Sequence, residues 1–212
     1  MLLKLWKQFI VWVKTVCGKS PVSVGQALNT AIEENDIVKF ARKHFEFSEG
    51  RFTELQQVQN SLRAKAKTLV QVNSSAAMTE HIAFLATWLS QTHGIAIGIA
   101  SPNLPMSYAI RREIDDATEH MTKKIDNKDT IIFENDARID IVNHNRLRGR
   151  RYDVLLLNAA EHVAEPYLGQ YTVAFNIVTG DSGYVLAYCE DFADVKTTYF
   201  PGFGRLNLTH PL

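Results

Sequence analysis

Cysteine is almost absent from this chain. Its two cysteines, Cys17 and Cys189, lie far apart and in no metal-like spacing. That argues against a disulfide-stapled scaffold and a CxxC zinc site, and it fits two ordinary thiols in a reducing compartment. An excess of charge of one sign is also missing: Lys+Arg and Asp+Glu both number 23. No global basic surplus announces nucleic acid or acidic membranes, so any such contact has to come from a local patch. Nor is there an apolar run of the roughly 20 residues that a membrane-spanning helix requires. The nearest approach is "MLLKLWKQFIVWVK", with apolar residues at 2, 5, 6, 9, 12 and 13 and Lys4, Lys7 and Lys14 between them. This is an amphipathic helical spacing, too interrupted for a secretory signal, and it predicts a helix docked on the domain or on a partner. The histidines show no HxxxH spacing, and no Ser-His-Asp or Cys-His arrangement can be argued from the sequence,.

What is present is an alternation of helical and strand-like segments. "GQALNTAIEENDIVKFARKHF" and "RFTELQQVQNSLRAKA" read as helices, "KTLVQV" as a strand, "TEHIAFLATWLSQTH" as a helix, and "GIAIGIASPN" as a buried strand. "LPMSYAIRREIDDATEHMTKK" reads as one long helix, on which Asp115, Asp116 and Glu119 form a surface face. "DTIIFEN" and "ARIDIVNH" form a hairpin turning at Asn135 and Asp136; "YDVLLLNAA" and "YTVAFNIVTG" follow as strands,. The end, "FPGFGRLNLTHPL", reads as a turn-rich tail. Continuous apolar strands between helices predict a mainly parallel sheet covered on both faces. The division expected is a helical region over 1–45, a core over 46–190 and a tail over 191–212.

In such a sheet, ligands bind at the carboxyl ends of the strands. The first of these ends is "VQVNSSAAMTEH", a strand, a loop of small residues and a helix, which is the layout of a phosphate-binding loop. Where that motif requires Gly-Lys-Thr, the chain has Ala77, Met78 and Thr79. A second match, Gly18-Lys19-Ser20, is discarded because a helix and not a strand precedes it and Val13 stands at the required glycine. Read alone, "NSSAAMTE" is a helix start, with Ser74, Ser75 or Thr79 as cap and Met78 in the core. At the end of "DVLLL", where a nucleotide hydrolase carries Asp and then Glu, stand Asn158 and Ala159. Asn158 has no charge to hold a hard divalent cation, and Ala159 cannot activate water.

The order of these motifs over residues 38 to 190 resembles the ATPase domain of the large terminase subunit, the DNA-packaging motor of tailed bacteriophages. The segments that carry the resemblance are "FARKHFEFSEGRFTELQQVQ", the loop, "GIAIGIASPN", "IIFENDARIDIVNHNRLRGRRYDVLLLNAAEHV" and "FNIVTGDSGYVLAYC", in that succession. The resemblance implies a three-layer, RecA-like P-loop NTPase core preceded by a helical region. It identifies Gln59, with Gln57 as the second register, as the adenine-contacting glutamine, and Thr79 as the magnesium-binding hydroxyl. Ser74 stands near a loop position that is often basic in the family. Thr179 and Gly180 resemble the coupling loop, and Arg148 a phosphate or subunit contact, with Arg150 and Arg151 beside it. The Lys, Asp and Glu positions are changed together. Since one such charge is worth on the order of 10²- to 10³-fold in rate, the resemblance implies a site without useful hydrolysis and with at most weak binding of ATP and magnesium.

The expectation is therefore a pseudo-ATPase that acts by binding, as an accessory or competing subunit alongside terminase or portal-type packaging proteins, in the cytoplasm of a bacterial host. The family's nuclease domain has no counterpart expected in these 212 residues. Two other readings stay open: a divergent but active packaging ATPase, and a nucleotide-independent nucleic-acid-binding module. Residues 146–151, "RLRGRR", are the best local candidate for DNA contact, and by default a solvated basic loop. The sequence leaves homo-oligomerisation open.

Overall fold

Four α-helices of the described residues each start on a side chain suited to the task. The computed structural model describes residues 29, 30, 32, 33, 36–44, 47–64, 67–147, 151–163 and 184–208. Helix α1 (Ile37–His44) begins after Asp36, whose Oδ1 accepts from the Val38 and Lys39 N–H groups. Helix α2 (Glu49–Arg63) is capped by Ser48, α3 (Ser75–Leu89) by Ser74, and α4 (Leu104–Ala117) by Asn103. In each case the cap oxygen satisfies an amide that the helix itself cannot.

The strands are β1 (Thr68–Gln71), β2 (Ala96–Ser101), β3 (Lys123–Asp126), β4 (Thr130–Phe133), β5 (Arg138–Asn143), β6 (Val154–Leu157), β7 (Tyr184–Cys189) and β8 (Gly204–Asn207). They form one sheet in the order β3-β4-β5-β2-β6-β7-β1-β8. All pairs are parallel except β3 with β4 and β4 with β5. The apolar run in β6 follows from burial on both sides: Val154 and Leu156 join the core under α3, whereas Leu155 and Leu157 join a second core with Leu69, Tyr152 and Val185,. The chain is thus an α/β fold with a mixed, mainly parallel sheet, as its pattern predicts.

Three segments differ from the sequence reading. The helix expected to run through "TEHMTKK" stops at Ala117, where the Thr118 N–H and hydroxyl both bond the Ile114 carbonyl. Lys123–Asp126 then forms an edge strand, whose largely exposed residues carry no apolar alternation to announce it. The turn-rich tail supplies β8, which pairs with β1. Residues 171–180, read as a strand, lie outside the described residues, as do the N-terminal amphipathic segment and Cys17. The described strand between β6 and β1 is Tyr184–Cys189. Among the described residues, no helix is long and apolar enough to cross a membrane.

One glycine is fixed by packing. A Cβ on Gly98 would lie 2.5 Å from the Tyr152 ring. Tyr152 crosses β2 there and donates its hydroxyl to the fully buried Asp140, which Arg138 and Thr130 also bond. The bare β2 backbone thereby lets the end of the arginine-rich connection anchor on the sheet.

Candidate functional site

The parallel strands deliver their carboxyl ends to one edge, and hydrogen bonds between the ends of β1, β2, β6 and β7 fix the floor of the site. Val72 N–H donates to the Cys189 carbonyl at 3.0 Å, and Asn158 N–H to the Ala100 carbonyl at 2.8 Å. The Asn158 amide nitrogen donates to Ser101 Oγ at 3.2 Å, and the Asn158 carbonyl accepts from His144 Nε2 at 3.1 Å. Asn158 is buried, and so is His144, which faces the Asn158 and Ala100 carbonyls. Burial pushes the His144 imidazole down to about 4 against the pull of those carbonyls, so it is neutral at physiological pH,.

At the phosphate-loop position, Ser74 caps α3 by accepting from Ala77 N–H at 3.2 Å, and the Ser74 carbonyl takes the Met78 N–H at 3.0 Å. The amides that would face an anion are thus partly engaged already. Met78 is fully buried, and its Sδ accepts from the Ala159 N–H at 3.1 Å. One side chain therefore spans from the first turn of α3 to the turn after β6. Ala159 sits in left-handed backbone, φ 54° and ψ 64°, which turns its N–H toward the sulfur and costs an alanine on the order of 1 kcal/mol,. Thr79 is half-buried one residue on.

The arginine that reaches the start of α3 is committed to an ionic cluster. Arg51 on α2 donates to Glu80 at 3.0 Å, to Glu54 at 2.8 Å, and contacts His81 Nε2 at 2.8 Å. His81 Nε2 also lies 3.0 Å from Glu54 Oε2, while His81 Nδ1 is buried without a hydrogen-bond partner. Burial, reinforced by Arg51, holds His81 below its ordinary range despite the Glu54 bond. Burial raises Glu54, but His81 and Arg51 outweigh it and keep the carboxyl low.

The remaining expected residues are placed as follows. Gln59 is buried on α2; its amide nitrogen donates to the Ile32 carbonyl at 3.0 Å, and its oxygen faces the Ile37 N–H at 3.4 Å. Asn158, Ala159, Ala77 and Met78 come together at the strand ends, with Ser74 at the mouth. Thr179, Gly180, Arg148 and Arg150 lie outside the described residues, and Arg151 is exposed. The sequence reading overlooked Arg51, Glu54, His81, His144 and Glu161. Glu161, three positions past Asn158, accepts from Glu190 N–H at 3.2 Å, while its other oxygen is buried with no hydrogen-bond partner and burial raises its carboxyl. "NAAEH" shows this carboxylate in sequence, but only the turn after β6 aims it at the end of β7.

This donor set is a poor fit for a magnesium nucleotide. Met78 gives the loop no cation, Asn158 and Ala159 after β6 carry no carboxylate, and the Met78 thioether occupies the space between them,. Among the described residues, no cluster of His, Cys, Asp or Glu could hold a metal ion.

No family model and no curated protein matches the sequence. Among solved structures, the large terminase of a thermophilic bacteriophage superposes with a TM-score of 0.54 at 11% identity, over 76% of this chain and 44% of that one. The same terminase in complex with ADP gives a TM-score of 0.47 at 12% identity, over 81% of this chain and 43% of that one. The chain spans less than half the length of that terminase. At this identity the similarity is one of fold.

Proposed function

We propose that this chain is a packaging-ATPase fold that has lost catalysis and acts by binding, as an accessory or competing subunit of a DNA-packaging motor in a bacterial host. The observation that carries the proposal is the Met78 Sδ contact with the Ala159 N–H. It joins the two positions where hydrolysis needs Lys and Glu through an apolar side chain with no exposed surface. A nucleotide phosphate would have to expel Met78 from the core, at a cost of roughly 2–5 kcal/mol if it resembles loss of the buried side chain. Gln59, Ser74, Ala77, Thr79 and Asn158 are on this reading remnants of a nucleotide site, with Thr179 and Gly180 its coupling loop. Terminase or portal-type proteins are the partners that such a scaffold fits. Thermal unfolding with and without millimolar magnesium-ATP tests the reading: no shift of the midpoint is expected. A shift that grows with nucleotide, together with ATP hydrolysis that Thr79→Ala abolishes, would overturn it.

Glu161 favours a second reading, a divergent ATPase completed by a partner, because it keeps a carboxylate oxygen buried and unengaged three residues past the Asp position. That reading expects an intact motor subunit or portal to restore turnover that is sensitive to Arg148→Ala.

A further inference from the structure

Two strands away from β6, the same carboxyl edge carries a cleft of about 100 Å3 between the start of α4, the end of β5 and the β3–β4 turn. Its walls include Leu104, Tyr108, Lys128, Asp129, Asn143 and Arg146. Leu104 and Tyr108 are 48% and 45% exposed, two of the three large hydrophobic side chains left open to solvent among the described residues. The Lys128 ammonium sits over the Tyr108 ring, 4.9 Å from its centroid, and hydrogen-bonds its side chain, and Arg146 is close enough to oppose its charge. Among the described residues, neither Lys128 nor Arg146 is in an ion pair, although most arginines and lysines of α4 and the β3–β5 region are.

The combination is selective. Two cations alone would hold any phosphate, in duplex or single strand, because phosphate contacts carry no information about the bases. The Tyr108 ring, 45% exposed with Lys128 over it, adds an aromatic surface that a base can use only when it is unstacked,. Leu104 gives the sugar an apolar wall, and Asp129, the only acidic residue lining the cleft, offers an acceptor to a base amino group,. We propose that this cleft binds one nucleotide unit of a single-stranded nucleic acid, with its base stacked on Tyr108 and its phosphate held by Lys128 and Arg146. The site uses none of the residues of the closed phosphate loop, so ATP experiments leave it standing. It begins where the arginine-rich 146–151 segment begins.

The test is fluorescence anisotropy of the whole chain with short labelled strands of one sequence, as single-stranded DNA, single-stranded RNA and duplex DNA, over a range of salt. Either single strand is expected to bind more tightly than the duplex. Tyr108→Ala should weaken single-strand binding by about 5- to 150-fold, the worth of one stacked base, and Tyr108→Trp should retain it. Lys128→Ala and Arg146→Ala should each flatten the dependence of log affinity on log salt by about 0.7. A preference between DNA and RNA identifies the strand that the cleft reads. Because Tyr108 and Arg146 are exposed, their variants should melt at the wild-type temperature. Failure of both single strands to bind, equal affinity for duplex, or unchanged affinity in Tyr108→Ala would overturn the proposal.

Discussion

The Met78 side chain performs two tasks that a catalytic loop cannot combine. It fills the core beneath α3 with no exposed surface, and its sulfur takes the Ala159 amide that left-handed backbone presents. Met78→Ala should therefore cost about 2–5 kcal/mol, from the lost burial and the cavity left behind. It also leaves the Ala159 N–H without its acceptor. Met78→Lys, which restores the letter found in working loops, should destabilise at least as much, since the ammonium would be buried between Ala159 and the core with no carboxylate at the end of β6. Denaturant unfolding of both variants checks this. A lysine variant as stable as wild type would mean that the loop opens readily. The sequence made this residue visible as a missing lysine, but not its partner: an Ala159 at positive φ follows from the turn after β6 and has no signature in "NAA".

At the scale of elements, the site is held by contacts that lock strand ends to one another and α2 to α3. His144, in the short turn after β5, meets the carbonyls that end β2 and β6, and Arg51 with Glu54 clips α2 onto His81 and Glu80 of α3. His144 makes stability depend on acid. Its folded value lies near 4 against an ordinary 6.5, so the unfolded chain binds more protons between those values,. Its contribution is full above pH 6.5 and is lost as the pH falls toward 4, roughly 3 kcal/mol in all,. His81 is shifted in the same direction and adds to the acid lability. Unfolding free energies measured from pH 7 to pH 4 should fall more steeply for the wild type than for His144→Gln; parallel curves would contradict this. Of the elements, α2, α3, β1, β2, β6 and the β4–β5 hairpin were legible because apolar period, caps and the Asn135-Asp136 turn agree. Strand β3 was not, since "KKID" owes its conformation to pairing with β4 rather than to its own pattern,.

For the whole molecule, the legible part was the succession of buried strands and the order of the loops at their ends; the interior ionic contacts were not. Arg51, Glu54, His81 and Glu80 look like solvated helix faces in sequence because the contacts that join α2 to α3 link residues 27 to 30 positions apart. The sheet places β7 between β1 and β6, and so brings the β1 and β6 loops close enough for one methionine to span them. On the proposed reading, a scaffold with a closed loop at the start of α3 has surfaces left to work with, and those include the Tyr108 cleft. On that reading this closure abolishes turnover. Its most direct test is the rate of ATP hydrolysis by the purified wild-type chain beside Thr79→Ala, with magnesium present. Both rates are expected to be indistinguishable from a protein-free blank; turnover by the wild type that Thr79→Ala abolishes would contradict the claim.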